Sequence, residues 1–119
     1  MTDHGGPIDL QALADQLIAE ARTASAGRAA RTLPHPVDGL RQTVIAVRRG
    51  AELGEHESPG AASLQVLRGR VRLLAADRTV DVCAAQITPI PDRRHSLAAD
   101  EDSVVLLSVA VPFRAPEPD

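Results

Sequence analysis

The side chains in this sequence that could do chemistry are few: His4, His35, His56 and His95, a single cysteine at Cys83, and a set of arginines with no lysine beside them. His56 sits in a polar bend, Gly50 to Gly60, and His95 follows the arginine pair Arg93 and Arg94. An imidazole can ligate a divalent metal, move a proton near neutral pH, or donate and accept hydrogen bonds. One cysteine excludes an intramolecular disulfide and every multi-cysteine metal site, and suits a reducing cytosol. The sequence has no GxSxG, no HExxH and no glycine-rich phosphate loop, so neither nucleophilic hydrolysis nor phosphate chemistry has a foothold.

The elements that must hold these residues are legible from periodicity. Leu10, Leu13, Ala14, Leu17, Ile18 and Ala21 recur at helical spacing, which predicts an amphipathic helix within residues 8–26, capped by Asp9 and stopped by Gly27 at positive φ. Residues 28–41 carry Pro34, Pro36 and Gly39 and read as a connector with a short strand at Arg31 to Leu33. From Gln42 the period changes to that of strands: residues 43–47, 63–67, 70–74, 79–83 and 103–111, separated by turn residues. The expected organisation is a flexible head and helix over 1–27, the connector over 28–41, a β-domain over 42–113 and a disordered tail over 114–119.

At 119 residues there is room for one core. Phe113 is the only aromatic side chain and the net charge is −3, so the core is aliphatic and a nucleic-acid surface, which needs a basic excess, is not expected. No basic segment followed by an apolar run opens the sequence, and no apolar run approaches the length of about 20 residues that spans a bilayer. The expectation is a cytoplasmic protein with no membrane partner.

At two places the residues resemble the small single-domain cupins. The first cupin motif, G(X)5HXH(X)3,4E(X)6G, falls on Gly50, His56, Ser58, Ala62 and Gly69; the second, G(X)5PXG(X)2H(X)3N, falls on Ala84 to Ala99 with His95 on its histidine. The resemblance covers residues 42–111 and implies an all-β cupin jelly-roll β-barrel preceded by one N-terminal α-helix. It also implies a metal site of three histidines and a glutamate, of which His56 and His95 remain while Ser58 and Ala62 stand at the other two positions. A neutral serine is a poor transition-metal ligand and alanine is none.

The expected function is therefore a degenerate, metal-free cupin that binds a small molecule or regulates, as a homodimer, through a polar pocket of His56, Ser58, Ala62, Arg94 and His95. The cofactor is unknown. The alternative is a metal-dependent cupin oxygenase or isomerase, using His56 and His95 with His35 or an unassigned carboxylate; metal-free acid–base chemistry on the two imidazoles also stays open. Strand alternation puts Glu52 on the face of His56, about 13 Å along an extended strand, and turns Glu55 and Glu57 outward unless a bulge intervenes.

Arg68, Arg70 and Arg72 read as a solvated strand face that discourages edge pairing, with an anion-binding stripe as the alternative. Arg93 and Arg94 read as loop solvation or as guides for an anionic ligand. Cys83 is expected to be a small buried hydrophobe, and His4 a solvated residue of the head.

Overall fold

The computed structural model describes residues 6–34, 37–56, 60–90 and 94–112, with the backbone alone at 55 and 56. The predictions that fall on His4, His35, Glu57, Ser58, Arg93 and the tail lie outside them.

The helix forms over Leu10–Thr23 (α1), and the Asp9 carboxylate accepts from the amides of Gln11 at 3.0 Å and Ala12 at 3.1 Å, satisfying two donors that the first turn leaves without helical partners. It ends at Thr23, short of the stop expected at Gly27. Arg48 explains part of the stop, since its guanidinium donates to the carbonyls of Arg22 at 3.2 Å and Ala24 at 3.5 Å. Gly27 does have positive φ (+74°), but it serves the turn that follows the helix; a Cβ there would lie 2.8 Å from that of Ala51.

Among the described residues nine strands follow: β1 (Arg28–Thr32), β2 (Leu40–Val47), β3 (Glu52–His56), β4 (Ala62–Arg68), β5 (Arg70–Ala75), β6 (Arg78–Cys83), β7 (Ile87–Pro89), β8 (His95–Ala99) and β9 (Ser103–Ala110). They form two antiparallel sheets, ordered β1-β2-β9-β4-β7 and β3-β8-β5-β6. This is the predicted all-β jelly roll with one helix in front. The region read as a connector contributes β1, a longer strand than residues 31–33, paired with β2 along its full length.

Alternation along the strands builds two cores. Val44 and Ala46 of β2 and Val104 of β9 face α1 and meet Ala14, Leu17, Ile18 and Ala21, while Ile45, Leu64, Val66, Val105 and Leu107 face the second sheet and meet Val71, Leu73, Val82 and Leu97. The molecule is thus three layers: helix, five-stranded sheet, four-stranded sheet. β9 is buried on both faces, which is why its sequence is a continuous apolar run rather than an alternating one.

Two sequence-based expectations fail here. Cys83 is exposed, because Val80 and Val82 take the inward positions of β6 and leave position 83 outside. The three arginines are not one edge-protecting stripe, because Gly69 separates the two sheets between them and both β4 and β5 are interior strands. Arg68 instead ties its sheet to α1, reaching Asp15 at 2.7 Å and the Gln11 side chain at 2.8 Å, and Arg72 pairs with Asp100 at 2.9 Å.

Asp102, in the turn before β9, closes the end of the sandwich. Its carboxylate accepts from the Arg49 amide at 2.8 Å and the Arg22 guanidinium at 2.9 Å. The amide hydrogen bond, then the Arg22 hydrogen bond and the positive charges of Arg22 and Arg48, hold its pKa below the ordinary aspartate value, against a small opposing effect of burial. Its stabilising contribution is therefore complete above the unfolded-state pKa of about 3.9 and disappears as pH falls through the lower folded-state value. Urea midpoints should drop between pH 5 and pH 3 more steeply for the parent than for Asp102→Asn; parallel curves would show that Asp102 carries no such linkage.

Candidate functional site

β3 and β8 bring the two motif histidines together. Glu52 pairs with Ala98 and Leu53 with Leu97, then the register shifts, and His56 pairs with His95. The shift is a β-bulge, which inserts one residue and inverts the alternation beyond it. Its consequence overturns the parity expected for the carboxylate: Glu52 is exposed in the outward row, while His56 takes the register position opposite the inward-facing His95.

His95 is 5% exposed and sits beside a cavity of about 30 Å³ whose other walls are Ile45, Leu53, Leu64, Leu73, Ile90, Leu97 and Leu107. Ala62 shares the inward row of β4 with Leu64 and is half-buried, and its carbonyl accepts from the Ile90 amide at 2.9 Å. Arg94 is exposed at the start of β8. Among the described residues the cavity lining is aliphatic with one imidazole; Ser58 and the His56 side chain, the other polar groups expected there, lie outside them.

The missed residues are its apolar walls. Their only signal was alternation, and Leu53 is the one large apolar residue of its strand. Among the described residues no buried side-chain polar atom lacks a hydrogen-bond partner.

The donor set does not fit the metal that the resemblance implies. Two imidazole positions are paired across β3 and β8, the third position is a serine by sequence, and the fourth is Ala62, which offers no donor. Among the described residues no group of three or more His, Cys, Asp or Glu side chains is close enough to hold a metal. No described helix is long and apolar enough to cross a membrane.

No family model and no curated protein matches the sequence. Solved structures do. A Streptococcus pyogenes protein of unknown function is 28% identical with a TM-score of 0.73, the match covering 95% of this chain and 93% of that one. The cupin-2 domain of an XRE family transcriptional regulator from Enterobacter cloacae is 15% identical with a TM-score of 0.61, over 71% of this chain and 97% of its own. Three further structures described as cupins superpose with TM-scores from 0.61 to 0.72. The chain has the cupin fold.

The same fold also carries enzymes. Salicylate 1,2-dioxygenase from Pseudaminobacter salicylatoxidans is 18% identical with a TM-score of 0.69, over 82% of this chain and 32% of that one. Cupin neighbours of this chain thus include both an enzyme and a domain of a regulator. In this chain the register pairs His56 with His95 across β3 and β8, and aliphatic walls surround His95.

Proposed function

We propose that this domain is a metal-free cupin that binds a small, largely apolar molecule, in a binding or regulatory role, with His95 supplying hydrogen bonds rather than coordination. The observation that carries the reading is the setting of His95: a nearly buried imidazole against seven aliphatic side chains, with alanine at the position of the family's carboxylate ligand. One imidazole in apolar walls fixes one polar atom of a ligand and leaves the rest to shape and burial. A metal-dependent oxygenase or isomerase would need a further donor, and Glu52, one of the two carboxylates on the same strand as His56, lies in the outward row.

The cavity of about 30 Å³ is the size of a single water. An organic ligand must therefore find most of its room in space that adjoins the barrel interior. Metal content tests the reading: dialysis against a mild chelator should leave well under one equivalent of transition metal per chain, and one retained equivalent would overturn it.

A further inference from the structure

The two sheets do not cover each other completely. Among the described residues the first has five strands and the second four, and β1 lies at the outer edge of the first. Alternation places Arg28 and Ala30 on the inner face of β1, in register with Val47 and Ile45, yet both are exposed. The overhang makes a groove of about 240 Å³ lined by Arg28, Ala29, Ala30, Ile45 and Leu53. Ile45 and Leu53 also wall the His95 cavity, so the groove and the cavity lie on the two sides of the same pair of side chains.

Arg28 stands at the rim. One of its guanidinium nitrogens donates to the Glu52 carbonyl at 2.8 Å, which straps β1 to β3 across the open side of the sandwich. Arg22, Arg31, Arg68 and Arg72 each pair with a carboxylate, whereas Arg28 makes no ion pair among the described residues. A guanidinium has five N–H donors in a planar fork matched to carboxylate oxygens, so most of its capacity remains after the strap.

From this geometry we infer that the groove binds a small apolar monocarboxylate, its carboxylate on Arg28 and its hydrocarbon body on Ala30, Ile45 and Leu53. The cation over aliphatic walls selects that class: a dianion or a sugar would leave polar atoms unmatched against Ala30, Ile45 and Leu53, at the cost of desolvation. The groove is smaller than the sites that take drug-sized molecules, which sets the scale at a short alkyl or single-ring acid. The inference rests on the small-molecule reading of the barrel and supplies the room that the His95 cavity lacks.

Hexanoate is the probe, with hexan-1-ol as its neutral counterpart, each titrated into the full chain while amide resonances are followed. Hexanoate should give saturable shifts at Ala30, Ile45 and Leu53, and hexan-1-ol should bind at least about tenfold more weakly. Arg28→Gln keeps an amide that can donate to Glu52 and should weaken hexanoate by about tenfold or more while leaving hexan-1-ol unchanged. Arg28→Lys, which keeps the charge but not the fork, should fall between.

Hexanoate binding that Arg28→Gln leaves unaltered, or shifts at His95 with none at Ala30, would overturn the groove assignment and leave the barrel reading intact. No saturable shift at all would overturn the groove assignment as well. Failure of the barrel reading itself shows separately, as a retained equivalent of metal.

Discussion

Gly69→Ala should lower the unfolding free energy by about 3 to 5 kcal/mol, the sum of a strained backbone and an overfilled contact. Gly69 turns the chain from one sheet to the other with φ of +87°, a region where a Cβ is penalised. A Cβ there would meet the Ser103 hydroxyl, the Asp102 carbonyl oxygen at 2.6 Å and the Ser103 Cα at 2.8 Å. Two of the three are backbone atoms, which cannot rotate away.

The hydroxyl is committed too. It accepts from the Arg70 amide at 3.1 Å and lies 2.7 Å from the Glu101 carbonyl, with Ser103 fully buried. Relief by moving Ser103 would leave a part-buried amide without its partner, which itself costs about 1–3 kcal/mol. Chemical denaturation followed by far-ultraviolet circular dichroism measures the effect, and a loss below about 1 kcal/mol would show that the turn relaxes freely. Gly50→Ala is the control: it shares positive φ (+85°) but has nothing within 4 Å of the added Cβ, so only the backbone penalty applies.

Leu17→Ala should cost about 3 kcal/mol, within the usual range for a buried leucine truncated in a core. Leu17 is fully buried at the centre of the layer between α1 and the five-stranded sheet, with Ala14, Ile18, Ala21, Val44, Ala46 and Val104 around it. All six of these neighbours are small or β-branched residues fixed to strands or a helix, so the space left behind collapses poorly. Leu10→Ala, at the half-buried end of the same stripe, should cost distinctly less. Equal losses at the two positions would mean that the helix is not anchored at Leu17, and no loss at either that it is a removable appendage.

The helix and five of the strands were legible because apolar periodicity survives in any sequence that buries one face. β9 stood out for the opposite reason, its burial on both faces. Of the other strands, β1 reads only as a short strand at Arg31 to Leu33, and β3, β7 and β8 do not read as strands; RAART and ELGEH show little apolar pattern, with Leu53 alone pointing to burial in β3. Cys83 could have been placed from alternation with Val80 and Val82; a preference based on residue type misled where position decided.

For the site, the resemblance to the cupin motifs implied that His56 and His95 share a site, and β3 and β8 bring the two positions into paired register. The bulge after Leu53 entered the sequence reading only as a proviso, although Gly54 inside the strand is the kind of residue that marks one, and with it went the face of Glu52. The Arg28 groove was hidden for a different reason: it exists only because one sheet has a strand more than the other, a fact of assembly that no local pattern carries.

Whether this barrel works without a metal, as proposed, is decided by elemental analysis of the purified protein after dialysis against a mild chelator, beside the same protein with His95→Gln. A metal-free barrel should hold well under one equivalent of any transition metal in both, with a thermal midpoint that added Zn²⁺ or Mn²⁺ leaves unchanged. One tightly held equivalent per chain in the parent, lost in His95→Gln, would contradict it.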